Sequence, residues 1–327
     1  MSGPADAASD WTAAGVPPLA GAEQRRPVGY VAADIGGREP ALLVQLLAAA
    51  GYEAVDWTLE QYDPLAQSPR RLVELVGLAR GAGLAVAQLM VHLDYVTLDG
   101  ELWEARVSCS ERAVAACAEA GIGSVGVLSG PNAWEPGALR VGRDIAEEWA
   151  WELALAALQR VLAAGERAGV QVALEPCWGT LAHGFYRAEL ALARLGGAAA
   201  INFDPSHHVL CGEDPAAAAR AWGGRIEHVH LKDAVGRAGP GAGGFAGAAA
   251  VEGVDFAFLL PGEGAVDWPA LFDALDAIGY TGAMSVENEA RRLLEGPLRG
   301  DLARCASLAR ELVGGLLDGR VAATHGV

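Results

Sequence analysis

The sequence predicts a single-domain α/β protein, a closed (β/α)₈ TIM barrel over residues 28–320. Eight short apolar runs alternate with longer helical patterns, which is typical of repeated strand–helix units. The runs are almost wholly apolar, as expected for parallel strands that are covered on both faces. Several runs follow an Ala-Gly or Gly-Tyr pair of the kind that ends helices. A count of eight favours a closed barrel over an open sheet.

The elements alternate regularly along the chain. The predicted strands lie at residues 28–34, 52–58, 84–92, 123–130, 170–176, 199–204, 225–233 and 282–289. The predicted helices lie at residues 39–50, 69–82, 103–120, 144–168, 187–195, 215–222, 268–278 and 298–317. Residues 1–27, rich in Ala, Gly and Pro, are expected to form a flexible tail. The glycine-rich residues 234–253 are too long for an ordinary connection and are expected to form a mobile loop above strand seven.

Composition excludes several classes of protein. The chain has 41 acidic and 24 basic side chains, a formal charge of −17, which disfavours binding to nucleic acid or to an anionic membrane. Its five cysteines include no CxxC pair, so neither a disulfide framework nor a thiolate zinc site is expected. No apolar run reaches 18 residues and no secretory signal is apparent, so a cytoplasmic protein is expected.

Ionisable side chains stand at the ends of four successive predicted strands: Glu175, Asp204, His230 and Glu287. The carboxyl ends of barrel strands form active sites, so these side chains are expected to converge. Three carboxylates and one imidazole form a hard donor set, which favours Mn²⁺, with Mg²⁺, Co²⁺ and Zn²⁺ as alternatives. Each carboxylate alone could equally cap the next helix or face solvent. Four at the same relative depth favour a site for one divalent ion.

A family resemblance rests on five stretches in order: ALEPCWG, INFDPSHH, HVHLKD, LPGEGAVDW and YTGAMSVENE. They resemble the sugar phosphate isomerase/epimerase family, the xylose isomerase-like barrels that include ketose 3-epimerases, hydroxypyruvate isomerases and inosose dehydratases. The resemblance covers about residues 27–317 and implies the same four metal ligands. It further implies that His207 contacts the substrate or stands close to the metal. A small carbohydrate or cyclitol is the implied partner, and a homo-oligomer is left open.

Neighbouring basic side chains have several interpretations. His208 is expected to pack or to face solvent, although an exchange of roles with His207 is left open. His228 is expected one layer deeper, as a hydrogen-bonded core histidine. Lys232 is assigned to substrate binding, where it could orient an oxyanion, or could simply pair with Asp233 or Asp204.

Three further residues are assigned to the substrate pocket because they lie at or just after the carboxyl ends of predicted strands: Trp57, His92 and Trp178. Aromatic faces suit the C–H faces of a sugar or cyclitol ring. A tryptophan near a barrel mouth can also pack only under a loop.

The resemblance and the donor set together predict an isomerase or epimerase that removes a proton next to a carbonyl through a metal-stabilised enediolate. Glu175 and Glu287 are the expected acid/base pair, flanking the substrate. The alternative on the same scaffold is a lyase, either an inosose-type dehydratase or a C-glycoside-cleaving enzyme. Pro176-Cys177-Trp178 replaces the polar residues of ketose 3-epimerases, which argues against a free ketose, and no Arg/Lys cluster marks a phosphate site.

Two other classes are less consistent with the sequence. An abasic-site endonuclease would need a basic groove and more than the seven histidines present. A non-catalytic sugar-binding barrel would have no need to keep Glu175 and Glu287.

Overall fold

The computed structural model describes residues 26–33, 39–237, 255–290 and 301–319. Eight parallel strands form the barrel: β1 (Val28–Val31), β2 (Ala54–Thr58), β3 (Ala85–Val91), β4 (Ser124–Val127), β5 (Gln171–Leu174), β6 (Ala200–Phe203), β7 (Ile226–Leu231) and β10 (Met284–Val286). They close in the order β1-β10-β7-β6-β5-β4-β3-β2, which confirms the predicted fold class. β1 pairs with both β10 and β2, so the sheet has no free edge.

Helices cover the outside of the barrel. They are α1 (Pro40–Ala49), α2 (Pro69–Gly81), α3 (Gly100–Ala120), α4 (Glu147–Ala168), α5 (Gly184–Arg194), α6 (Pro205–Leu210), α7 (Pro215–Trp222), α8 (Trp268–Ala277) and α9 (Leu302–Leu317). Local sequence sets their ends: the Asp99 carboxylate accepts from two backbone N–H groups of α3, and left-handed Gly121 ends that helix. The short helix α6 was not predicted. No helix among the described residues is long and apolar enough to span a membrane.

The structure corrects the predicted loop at residues 234–253. Its first residues belong to β8 (Asp233–Arg237), which pairs antiparallel with β9 (Asp255–Leu259). Residues 238–253 of the predicted loop, and residues 1–25 of the predicted tail, lie outside the described residues. The two strands form a sheet of their own beside the carboxyl end of β7.

The barrel has an apolar outer layer and a polar interior. Apolar strand residues such as Val55, Leu89 and Val229 pack against the helices in one continuous core. Inside the barrel, Gln88 Nε2 donates to Ser124 Oγ over 3.1 Å. A Cβ atom at position 126 would lie 2.5 Å from Gln88 Oε1, so glycine at that position leaves room for the Gln88 side chain. This polar interior lies below the strand ends that carry the candidate site.

Candidate metal centre and active site

Four donor side chains meet at the carboxyl end of the barrel. Glu175 follows β5, Asp204 follows β6, His230 lies on β7 and Glu287 follows β10, and these four strands are neighbours in the barrel. One ligand-type atom from each residue lies within 4.8 Å of the others. Glu175, Asp204 and His230 are buried. The structure therefore brings together the four residues that the sequence predicts as metal ligands.

The imidazole of His230 directs one nitrogen into this cluster. Its Nδ1 lies 3.4 Å from Glu287 Oε2 and 3.8 Å from both Glu175 Oε1 and Asp204 Oδ2. This buried nitrogen makes no hydrogen bond within the described part of the chain. A buried polar atom without a partner is costly, whereas a cation among three carboxylates would satisfy it. The arrangement thus fits a divalent ion.

Asp204 serves two local purposes. Its Oδ1 accepts from the backbone N–H of Ser206 over 2.8 Å and from Ser206 Oγ over 2.6 Å, so it caps helix α6. Its Oδ2 faces the cluster instead. Because the capping bonds fix the carboxylate plane, the second oxygen is held in position before any ion binds. Capping and ligation, which the sequence presented as alternatives, are compatible here.

Lys232 forms the positive end of the cluster. Its buried Nζ lies 2.9 Å from Asp204 Oδ2, 2.5 Å from Glu287 Oε2 and 2.7 Å from Glu289 Oε2. Burial alone would lower the pKa of Lys232, but the three carboxylates outweigh burial and hold that pKa well above its ordinary value. Lys232 therefore remains an ammonium ion at the edge of the donor cluster.

Asp233 does not pair with Lys232. Its Oδ2 accepts from Trp268 Nε1 over 2.9 Å and from the backbone of Gly262, and its Oδ1 accepts from the backbone of Val266. These contacts fasten β8 to the segment that leads into α8. Of the two pairings considered from the sequence, the structure contains the one with Asp204.

Glu175 is surrounded by nitrogen atoms. Its Oε2 accepts from Asn202 Nδ2 over 2.8 Å and lies 3.3 Å from His92 Nε2, while its Oε1 lies 3.4 Å from His207 Nε2. Burial would raise the pKa of Glu175, but His230, His207 and His92 outweigh it, and that pKa lies well below its ordinary value. The carboxylate is therefore ionised, and His92 and His207 both reach the site as the sequence predicts.

The two adjacent histidines of α6 have different surroundings. His207 directs Nε2 at Glu175 and also approaches Asp204 Oδ2 to 3.5 Å. His208 is buried elsewhere, where its Nδ1 lies 2.7 Å from Glu213 Oε2 and its ring stacks on Phe203. His208 therefore packs, and the roles are not exchanged.

The sequence matches the model of a known protein family over most of its length. The model, described as xylose isomerase-like TIM barrel, matches residues 44–308. The chain belongs to the xylose isomerase-like TIM barrel family. The resemblance inferred from the sequence is thereby confirmed.

Curated relatives of this xylose isomerase-like barrel match over part of their length. A 125-residue stretch is 33% identical to the rhizopine catabolism protein MocC of Rhizobium meliloti and covers 37% of each chain. A 94-residue stretch is 35% identical to an inosose dehydratase of Geobacillus thermodenitrificans and covers 27% of this chain and 29% of that protein. The matched stretches thus span less than two fifths of either relative.

Solved structures share the whole barrel at low sequence identity. An IolI protein with a bound zinc atom is 17% identical, with a TM-score of 0.63, over 91% of this chain and 100% of that one. An L-ribulose 3-epimerase is 19% identical, with a TM-score of 0.63, over 93% of this chain and 100% of that one. These similarities show the common fold.

The two tryptophans assigned to the pocket lie in different places. Trp57 is fully buried in the core under the helices, because its neighbour Asp56 occupies the inward-facing position and bonds to His228 across the interior. The assignment of Trp57 to the pocket is therefore corrected. Trp178 packs beside the β8–β9 hairpin, with its ring 4.8 Å from that of Phe256.

Deeper in the barrel, His228 Nε2 lies 2.8 Å from Asp56 Oδ2, and both residues are buried. This confirms His228 as a hydrogen-bonded core histidine. The ring of His228 also packs at 5.5 Å against that of His230. The Asp56–His228 pair therefore packs beneath the candidate metal centre.

Sequence reasoning missed four residues that border the site: Asn202, Cys177, Phe258 and Glu289. Glu289 had a usable signal, since it stands two positions after Glu287 and therefore on the same side of an extended chain. Phe258 follows the glycine-rich segment, where no strand was predicted. Its ring nevertheless lies 4.6 Å from Lys232 Nζ and 5.5 Å from the His207 ring. The alternation in Asp255–Leu259 was the available signal for that strand.

Proposed function

We propose that this protein is a divalent-metal-dependent isomerase or epimerase of a sugar, keto-sugar or cyclitol. The reaction begins with abstraction of a proton next to a carbonyl. One observation carries the proposal: Glu175, Asp204, His230 and Glu287 place one donor atom each within 4.8 Å of one another. These four residues would hold the ion.

The donor chemistry supports a catalytic cation over a structural one. Carboxylate-rich sites suit Mn²⁺, Mg²⁺ and Co²⁺, and zinc is also compatible, as the zinc in the related IolI structure illustrates. A bound divalent ion would supply Lewis-acid stabilisation of the negative charge that develops on the substrate oxygens. Manganese is our first choice because three of the four donors are carboxylates.

Glu175 and Glu287 are the proposed acid/base pair. Burial opposes ionisation of both, but their surroundings outweigh it and lower both pKa values: His230 and the contacts from His207 and His92 act on Glu175, and Lys232 and His230 act on Glu287. Both carboxylates can therefore accept a proton. Because β5 and β10 are separated by β6 and β7, the two side chains approach the centre from different directions. Removal of a proton by one and its return by the other would invert a carbon centre.

Other side chains would orient the substrate. His92 lies against Glu175 and keeps 24% of its side chain exposed, so one edge remains open to a ligand. Phe258 is half-buried beside Lys232 and offers an apolar ring face to the C–H groups of a sugar or cyclitol. The ammonium of Lys232 would counter negative charge on a substrate oxygen. Trp178 would act through the hairpin, because it packs on Phe256.

A dehydratase of a cyclic keto-polyol is the second candidate. The stretch that is 35% identical to an inosose dehydratase favours it. Both reactions begin with the same proton abstraction and differ in whether a hydroxyl group then leaves. Lys232 and Glu289, joined over 2.7 Å at the edge of the centre, would stand near such a leaving group.

Product analysis in deuterated water tests the proposal. Metal-stripped protein would be reloaded with Mn²⁺ and incubated with ketoses, hydroxypyruvate and inososes, with metal-free protein as the control. We expect deuterium at the carbon next to the carbonyl of the accepted substrate. An isomer of unchanged composition identifies an isomerase or epimerase, and loss of water identifies the dehydratase.

Measurements of metal content and melting temperature can refute the proposed function. Purified protein that contains no divalent metal, and whose melting temperature does not rise with Mn²⁺, Mg²⁺, Co²⁺ or Zn²⁺, would exclude both reactions. Absence of deuterium exchange in metal-loaded protein with every substrate class would exclude proton abstraction.

A further inference from the structure

A second group of donor atoms adjoins the proposed metal centre. Cys177 Sγ lies 3.3 Å from His207 Nε2, and His207 Nε2 lies 3.4 Å from Glu175 Oε1. The sulfur, nitrogen and oxygen atoms all lie within 4.8 Å of one another, and all three residues are buried. We refer to Glu175, Cys177 and His207 as the sulfur-containing cluster.

The sulfur–nitrogen and nitrogen–oxygen separations match those of ligands around one tetrahedral ion. Zinc–ligand bond lengths place a nitrogen and an oxygen ligand about 3.4 Å apart, and a sulfur and a nitrogen ligand about 3.6 Å apart. The measured 3.4 Å and 3.3 Å are close to both values. An ion could therefore be bound with only small movements of these side chains.

The backbone fixes the cluster. Glu175 continues the ladder of β5, because its N–H donates to the Val127 carbonyl over 2.9 Å. Two residues later the chain turns, and the Cys177 carbonyl accepts from Thr180 Oγ1 over 2.9 Å. His207 is held in α6, which begins at the capping residue Asp204. The three donors therefore come from two short, hydrogen-bonded segments at adjacent strand ends.

We propose that Glu175, Cys177 and His207 form a second metal position of softer character, which binds a thiophilic divalent ion such as Zn²⁺. It would lie beside the carboxylate-rich position and share the Glu175 carboxylate with it. A thiolate, an imidazole and a carboxylate suit zinc, whereas the other cluster of three carboxylates and one imidazole suits Mn²⁺ or Mg²⁺. On binding, a metal–sulfur bond forms and the thiol proton passes to solvent.

The barrel mouth has an excess of acidic side chains that a second cation would offset. Glu175, Asp204, Glu287 and Glu289 contribute four carboxyl groups, and Lys232 contributes one ammonium group. Lys232 Nζ lies 3.5 Å from His207 Nε2, but its three carboxylate partners hold it and compensate its charge.

Cobalt titration of the full chain tests this second position. Co²⁺ substitutes for zinc and gives a near-ultraviolet charge-transfer band only when a thiolate binds it. Metal-stripped, reduced wild-type protein is expected to bind two Co²⁺ ions per chain and to show this band. Cys177→Ser should bind one ion without the band, and Cys109→Ser, which changes a buried cysteine on α3, should behave as wild type.

A Glu287→Gln variant separates this inference from the proposed function. Glu287 belongs to the carboxylate-rich position alone, so this variant should lose affinity there and still show the thiolate band. Wild-type protein that binds one ion without the band overturns the second position and leaves the proposed function standing. A band from a protein that binds only one ion also overturns it, because the sulfur then serves the first position. A band that persists in Cys177→Ser overturns it as well.

Discussion

The substitution Glu287→Gln separates the proposed catalytic role of this carboxylate from its structural role. Glutamine has nearly the same shape but removes the negative charge that faces His230 Nδ1 at 3.4 Å and Lys232 Nζ at 2.5 Å. The change therefore removes one anionic ligand and one member of the proposed acid/base pair in a single step.

The structure limits the loss of stability that this substitution can cause. Lys232 keeps its contacts with Asp204 at 2.9 Å and Glu289 at 2.7 Å, so no buried charge is left without a partner. The amide oxygen of glutamine can still accept from the ammonium. Replacing a charged hydrogen bond by a neutral one lowers the free energy of unfolding by about 1–1.5 kcal/mol. The variant is therefore expected to fold.

The loss of activity should be far larger than the loss of stability. Removal of a positioned acid or base typically lowers the rate by about 10²–10⁴-fold. Loss of an anionic ligand should also weaken metal binding, and glutamine cannot take up a proton in its place. We therefore expect turnover at saturating metal to fall at least about 100-fold.

Three measurements on the same preparation check this prediction. Urea denaturation reports the free energy of unfolding, calorimetric titration with Mn²⁺ reports the affinity, and proton NMR in deuterated water reports the exchange rate. Turnover at saturating Mn²⁺ within tenfold of wild type would refute an essential role for Glu287. A loss of folding would instead refute the inference that Asp204 and Glu289 suffice as partners of Lys232.

Substitutions at three further positions test other parts of the structure. Burial raises the pKa of Asp94 to about 6, whereas an aspartate in an unfolded chain has a pKa of about 3.9. The folded protein therefore loses about 3 kcal/mol of stability as the pH rises from about 4, where folded Asp94 is protonated, through about 6, where it ionises. Asp94→Asn removes this ionisation and should flatten the pH dependence of the free energy of unfolding, measured by urea denaturation, over that range. Asp56→Ala leaves a buried ring nitrogen of His228 without its partner at 2.8 Å and should lower the free energy of unfolding by about 1–3 kcal/mol. Asp56→Asn, whose side chain can still form a hydrogen bond to this ring, should lose less, and equal losses would contradict the pairing. Phe258→Ala removes the ring face beside Lys232 and should raise KM at least threefold with little change in kcat, and an unchanged KM would remove Phe258 from the pocket.

The strand framework and the meeting of the four candidate ligands were predictable from the sequence because both follow from local rules. Buried parallel strands require apolar runs, and the carboxyl ends of these strands converge in a barrel. Glu175, Asp204, His230 and Glu287 each stand at such an end, so topology alone placed them together. Family resemblance selected the same residues.

It was harder to predict which side chains of a strand point into the barrel. Asp56 and Trp57 are adjacent, and only one of them can point into the barrel. Alternation gives two equivalent choices until the register is known, and the pairing of β2 with β3 shifts between Val55 and Asp56. The sequence contains no local sign of that shift, so Trp57 was assigned to the wrong face.

The β8–β9 hairpin was missed because its two strands are separated by a glycine-rich segment. Asp233–Arg237 contains one glycine and one β-branched residue, which is a weak strand signal. Its stability comes from partners distant in sequence, namely Asp255–Leu259 and the contacts of Asp233 with Trp268. Phe258, which borders the site, could not be placed before that pairing was known.

The energetics of the barrel mouth give an independent argument for a cation. Moving ionised carboxylates out of water costs several kcal/mol each, and Glu175 and Asp204 are both nearly inaccessible to solvent. Lys232 and His230, whose pKa values the surrounding carboxylates hold well above their ordinary values, compensate only part of the negative charge of Glu175, Asp204, Glu287 and Glu289. An apolar core would be more stable than this arrangement, so folding alone does not account for it. Binding of a divalent ion would offset two of the remaining charges and supply a partner for His230 Nδ1, which ties the least favourable feature of the fold to its proposed chemistry.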